Sequence, residues 1–152
     1  MNAYQKQLVQ RSFRHIVPIA DQFANLFYRR LFELNPSLRA LFKGDMAKQG
    51  LKLTTTLQVV LNSLHDLAEI KSALQEMGRH HAEYGVQSAD YDTVGAALLW
   101  ALEQELGAAF TPETEQAWTT VYALLADTMK QTATERVKDA AAEDMYNKNL
   151  PV

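Results

Sequence analysis

Apolar positions recur at spacings of three and four residues along almost the whole chain, which is the period of a helix with one buried face. The alternation of single apolar and polar residues that is typical of strands is missing. The strongest apolar stripe consists of Trp118, Val121, Tyr122, Leu125 and Met129. It follows Thr111, Pro112 and Glu113, a capping residue, a first-turn proline and an acid that suit a helix start. The pattern predicts an all-α protein.

Prolines, glycines and capping residues set the expected helix ends. The longer helices are predicted over about residues 3–17, 19–34, 49–65 and 70–84, after residue 88 or 90, and after residue 111. Asn35 and Pro36 are typical of the start of a short helix, which would cover residues 37–41. Gly85 is suited to end the helix before it. Such unequal helices favour a crossed-helix fold over a four-helix bundle.

Composition narrows the class of protein. The chain has 152 residues, of which 47% are hydrophobic, enough for one domain with its own core. Its net charge is −3 and it has no basic block, which argues against nucleic-acid binding. Without cysteine it has no disulfide, thiolate nucleophile or cysteine-bound metal. No apolar run reaches the roughly 20 residues of a membrane helix, and no signal pattern opens the chain. We expect a cytoplasmic monomer or weak homodimer with no membrane partner.

The composition changes after Met129. Large apolar residues become rare from Lys130 onward, and basic and acidic residues alternate there in nearly equal number. We therefore expect a folded domain over residues 1–130 and a helical extension or frayed tail over residues 131–152.

Four histidines are the most informative polar residues, and His80 and His81 stand side by side. Neighbouring residues on a helix point about 100° apart, so the two rings face different surroundings. The stripe of His81 contains Leu74, Met77 and Gly78, whereas His80 aligns with Ala73 and Glu76. His81 is thus expected to face inward and His80 to face water. A lone inward histidine is either a core residue or a ligand.

Several segments occur in a distinctive order and spacing: LFYRRLF at residues 26–32, NPSLRALF at 35–42, MGRHHAEYGV at 77–86, YDTVG at 91–95 and AWTTVY at 117–122. Together they resemble the globin family, in particular bacterial single-domain haemoglobins and the globin domain of flavohaemoglobins. The resemblance extends over about residues 3–129. It implies a globin fold of six to eight crossed helices around a pocket for haem b, iron protoporphyrin IX. The implied ligands are O2, NO and CO.

The resemblance also implies roles for individual residues. It makes His81 the ligand of the haem iron, in agreement with the inward stripe, and Phe42 the aromatic residue that wedges against the haem plane. Tyr28 and Gln49 would be the donors to a gas ligand on the open side of the iron, and Leu53 lies one turn from Gln49 on the same face. The alternatives for Tyr28 and Gln49 are plain surface positions.

Three further positions match less specific family features. Lys52 could reach a haem propionate or be an exposed lysine without a role, and Val86 would touch the haem edge or belong to the core. Tyr91 resembles the tyrosine that stands behind the iron-binding histidine in flavohaemoglobins, beside a glutamate from the last helix. Here the glutamate position holds Ala133, and Glu135 is off phase by about 200°. This departure weakens an oxygen-activating, peroxidase-like function.

The resemblance leaves several functions open. The first is binding, storage or transport of O2, and the second is NO dioxygenation, which converts NO and O2 to nitrate. The second would need a separate reductase, because the chain contains no FAD- or NAD-binding sequence. Gas sensing would normally require an output domain. A haem-free helical module that uses the pocket for another ligand is the remaining alternative.

Overall fold

The computed structural model describes residues 1–148, with side chains for residues 1–131, and this part is helical and contains no strand. The α-helices are α1 (Ala3–Ile16), α2 (Ala20–Leu34), α3 (Met46–Asn62), α4 (Leu67–Glu83), α5 (Ser88–Leu106) and α6 (Pro112–Lys148). Short 3-10 helices cover Val17–Ile19, Pro36–Leu41 and Gly107–Ala109. The prediction of an all-α protein is confirmed. Within the described helices, none is long and apolar enough to cross a membrane.

The expected extension begins inside α6, which continues to Lys148. Its side chains from residue 132 onward, and all of residues 149–152, lie outside the described part of the chain. The side chains outside the described part include those of Ala133, at the expected glutamate position, and Glu135.

Helices α3 and α4 each begin about three residues earlier than the spacing of apolar residues indicates. The carboxylate of Asp45 accepts a hydrogen bond of 2.9 Å from the backbone N–H of Ala47, so α3 begins at Met46. In the same way Asp66 caps α4, which begins at Leu67. An aspartate cap satisfies first-turn N–H groups and extends a helix beyond its buried stripe.

The core is divided into two clusters. The larger one is enclosed mainly by α1, α2, α5 and α6, with Leu61 from α3 and the following Leu64, and its most buried large residues include Ile16, Phe23, Leu31, Leu102 and Trp118. The smaller one lies around α4 and the middle of α6, and contains Val60, Ile70, Leu74, Tyr91, Ala126 and Met129. Helix α3 packs on α2, whereas α4 packs on α6. Among the described residues α3 and α4 share no extensive interface, although they are consecutive in the chain.

Two glycines, one on α3 and one on α4, allow these helices to pack closely against their neighbours. A Cβ on Gly50 would lie 2.9 Å from the Cβ of Ala24, where α3 crosses α2. A Cβ on Gly78 would overlap the carbonyl oxygen of Met129 and lie 2.9 Å from its Cα, where α4 crosses α6. Because backbone atoms meet at the second crossing, only glycine fits there without a shift of α4.

A buried hydrogen bond between α1 and α6 provides a test of the larger cluster. The indole Nε1 of Trp118 donates to Ser12 Oγ at 2.8 Å. We expect Ser12→Ala to lower the free energy of unfolding by about 1 kcal/mol, because the buried indole N–H would lose its partner. Urea unfolding measures this, with the exposed Ser72→Ala as control. Equal stability of the two variants would contradict the assigned role of the bond.

Candidate functional site

His80 and His81 occupy the last turn of α4 and differ in exposure as the helical phase predicts. His81 is half-buried, whereas the His80 side chain is 52% exposed and its Nε2 lies 3.1 Å from a carboxylate oxygen of Glu76. Burial lowers the pKa of His81, and the nearby positive charges of Lys52 and His80 lower it further. The ring of His81 is therefore held neutral, which is the form that binds a metal ion.

Tyr91, at the start of α5, orients the His81 ring. Its hydroxyl lies 3.4 Å from Nδ1 of His81, and the two rings meet edge to face with centroids 6.1 Å apart. The Tyr122 hydroxyl donates to the backbone carbonyl of Tyr91 at 2.6 Å and fixes it. Burial raises the pKa of Tyr91, so the phenol stays protonated. Because Nδ1 contacts Tyr91, Nε2 is the ring nitrogen that can bind a metal ion.

Tyr28, Phe42 and Gln49 come together where α2 meets the start of α3. Tyr28 is 8% exposed, and burial raises its pKa to about 12. Its ring packs edge to face on Phe42 at 5.3 Å. Its hydroxyl donates to the backbone carbonyl of Gln49 at 3.2 Å, not to the side-chain amide. Gln49 as a whole is half-buried.

Half-buried apolar side chains on α3, on α4 and on the segments beside them mark the region between these two helices as the candidate crevice. The half-buried residues on the inner stripes are Phe42, Leu53, Leu57, Met77, Val86 and Val94. Within the described residues no group of three or more His, Asp or Glu could hold a bare metal ion. The chemistry fits a flat apolar cofactor whose metal needs one imidazole, because these residues supply a single inward imidazole, a buried phenol and half-buried apolar side chains. The residues present therefore fit haem.

Lys52 lies exposed on α3, one residue before Leu53. Its charge contributes to the lowered pKa of His81. It therefore lies close enough to act across the gap, and it places a cation at the edge of an otherwise apolar crevice. A propionate contact of this lysine stays a prediction.

Lys130, the last residue of the expected folded domain, is a residue of the site that the sequence analysis did not single out. Its side chain is only 26% exposed, and its Nζ lies 5.6 Å from the ring centroid of Tyr91. A signal for this position was present in the sequence: Lys130 follows Tyr122 by two helical spacings of four residues, which returns it to the same face of α6.

Comparison with known proteins agrees with this geometry. The family model described as Globin matches residues 25–129, which include both walls of the crevice. A neuroglobin from Danio rerio is 32% identical over 118 residues, covering 68% of this chain and 74% of that protein. A neuroglobin from Chaenocephalus aceratus is 26% identical over 150 residues, covering 90% and 94%.

One solved structure extends the likeness to the whole fold. It is an engineered carbene transferase built on a Rhodothermus marinus protein assigned as a nitric oxide dioxygenase. The TM-score is 0.83 at 27% identity, over 93% of this chain and 99% of that one.

Proposed function

Because the chain belongs to the globin family, we propose that it carries haem b and reversibly binds O2, with NO and CO as further ligands. Family membership makes it a haem-binding and gas-binding globin; storage or transport of O2 is the proposal. The observation that carries it is that the chain combines a neutral, inward imidazole at His81 on α4 with a buried phenol at Tyr28 beside the start of α3.

We assign to His81 the task of holding the iron through Nε2, with Tyr91 orienting its ring at Nδ1. When bound, haem supplies a ferrous iron with an open coordination position for a diatomic gas. Phe42, Leu53 and Val86 would exclude water from the cofactor, because they are apolar and half-buried. Lys52 is positioned to neutralise a negative charge at the crevice edge.

Tyr28 has a single hydroxyl proton, which it donates to the Gln49 carbonyl. The pKa of about 12 keeps that proton on the phenol at neutral pH. To stabilise a gas ligand, the hydroxyl has to turn from the carbonyl toward the crevice, where the Gln49 amide is a second donor. Hydrogen bonds to a group that gains charge contribute about 1.5–3 kcal/mol each. These donors therefore slow the release of O2.

Visible absorption spectra of the ferric, ferrous and air-exposed ferrous protein test the proposal. We expect a five-coordinate ferrous spectrum that changes in air to a persistent oxygenated one. A protein that takes up no haem on reconstitution would overturn the haem assignment and favour a haem-free module. A six-coordinate ferrous spectrum without gas would contradict the open position.

We expect Tyr28→Phe to raise the O2 dissociation rate by at least about tenfold, because one donor is lost while the ring stays in place. Stopped-flow displacement of O2 by CO measures the rate. The matched control is Tyr84→Phe, since Tyr84 ends α4 with 68% of its surface exposed. A rate equal to that of the control would mean that the phenol keeps its bond to the Gln49 carbonyl.

The second candidate function is NO dioxygenation with an external reductase. The structural relative from Rhodothermus marinus supports it, since that protein is assigned as a nitric oxide dioxygenase and aligns over almost the whole chain. To distinguish NO dioxygenation from O2 binding, NO is added to the ferrous protein in air and the nitrate formed per haem is measured. Repeated nitrate formation with added reductase favours the enzyme. A single stoichiometric burst leaves O2 binding as the function.

A further inference from the structure

Lys130 brings a positive charge from α6 to the face of the Tyr91 ring. Its Nζ lies 5.6 Å from the ring centroid and 3.8 Å from an oxygen of Asp92. The Asp92 side chain is 85% exposed, so water screens its attraction to the lysine, whereas the lysine itself is largely buried. A cation over an aromatic face interacts most strongly when it is desolvated.

Tyr91 is held rigidly between this cation and His81. It is 7% exposed, and the Tyr122 hydroxyl fixes its backbone carbonyl. Its own hydroxyl lies 3.4 Å from His81 Nδ1. The three side chains therefore form a continuous series from α6 through α5 to α4, in which the charge of Lys130 acts on a phenol that touches the imidazole.

We propose that Lys130 is a positioning residue that, through Tyr91, makes the His81 imidazole a weaker electron donor. The cation draws electron density from the phenol, so its oxygen becomes a poorer acceptor for an Nδ1 proton. An imidazole whose Nδ1–H has a poor acceptor is less basic at Nε2. This rests on the proposed function, in which Nε2 binds the iron, and a weaker axial donor raises the reduction potential and favours the ferrous state that binds O2.

The test in the haem-loaded protein compares Lys130→Met with Lys130→Arg, and uses Lys71→Met as control because Lys71 is exposed on α4. We expect Lys130→Met to shift the ferric–ferrous equilibrium toward ferric by about three- to tenfold, because an imidazole that donates more strongly stabilises ferric iron. Tenfold corresponds to about 59 mV for one electron. The iron–histidine stretching frequency should rise, and Lys130→Arg should restore both values.

The haem-free protein provides a second readout. Nitrogen-15 shifts of the His81 ring should report a larger Nδ1-protonated fraction in Lys130→Met than in Lys71→Met. No difference in these shifts, or equal potentials in the methionine and arginine variants, would overturn the proposal. If the proposed function is wrong, haem binding will not depend on His81. The nitrogen-15 shifts of the His81 ring in the haem-free protein will still show whether Lys130 acts on this imidazole.

Discussion

Replacing His81 with alanine should abolish stable retention of haem, while the same substitution at His80 should leave it intact. His81 is the neutral, inward imidazole of the crevice, whereas His80 is half-exposed and lies beside Glu76 on the solvent side of α4. Loss of an indirect partner of a metal ligand already costs 10–100-fold in affinity, so loss of the proposed ligand itself should cost at least about a hundredfold. Titrating the haem-free protein with haem and following its absorbance measures this.

The two histidines are well matched as a pair, because they share a helix turn and differ only in phase. Circular dichroism of both haem-free variants should be unchanged, so that a lost cofactor is separated from a lost fold. Free imidazole should partly restore haem binding to His81→Ala by entering the space of the missing ring. Equal loss of haem in the two variants would overturn both the phase argument and the assignment of His81.

Features that depend on local periodicity could be predicted from the sequence. The apolar stripe of α6, the short helix that starts at Pro36 and the different exposure of His80 and His81 follow from spacings within a few residues. The starts of α3 and α4 were placed too late, because Asp45 and Asp66 cap these helices ahead of the apolar residues of their stripes. Aspartate is a common capping residue, but the prediction gave more weight to the spacing of apolar residues.

Contacts between distant helices could not be predicted in the same way. Gln49 was expected to stand near Tyr28, but the bond of the phenol to a backbone carbonyl depends on how α2 crosses α3. The position of Lys130 over Tyr91 depends on how α6 crosses α5, and a charged residue at the edge of a stripe is usually solvated. These contacts join residues 21 and 39 positions apart, beyond any periodic signal.

The divided core explains why the two walls of the site depend on different helices. Helix α3 is supported by α2 and α4 by α6, so the width of the crevice depends on how closely each pair packs. Gly50 and Gly78 are positions at which those pairs leave no room for a Cβ atom. His81 follows Gly78 by three residues on the same helix. The distance between α4 and α6 at Gly78 therefore determines where the His81 imidazole lies.

Gly78→Ala should therefore weaken both the fold and the site. The added Cβ would overlap the Met129 carbonyl, and backbone atoms cannot move aside as a flexible side chain can. Overpacking typically costs 1–3 kcal/mol, and alanine regains up to about 1 kcal/mol as the better helix former. Because the clash is with backbone, we expect a net loss of about 2 kcal/mol, near thirtyfold in the unfolding equilibrium, measured by urea unfolding of the haem-free protein.

The same shift should carry His81 away from its place and speed haem loss to a scavenging apoprotein. Gly44→Ala is the control, because a Cβ there meets nothing within 4 Å. It should change neither stability nor haem loss. If Gly78→Ala were as stable as this control, the α4–α6 crossing could widen freely. If Gly78→Ala were less stable but released haem at the rate of the control, the α4–α6 crossing would support the fold without positioning His81. The width of the crevice would then depend on another contact.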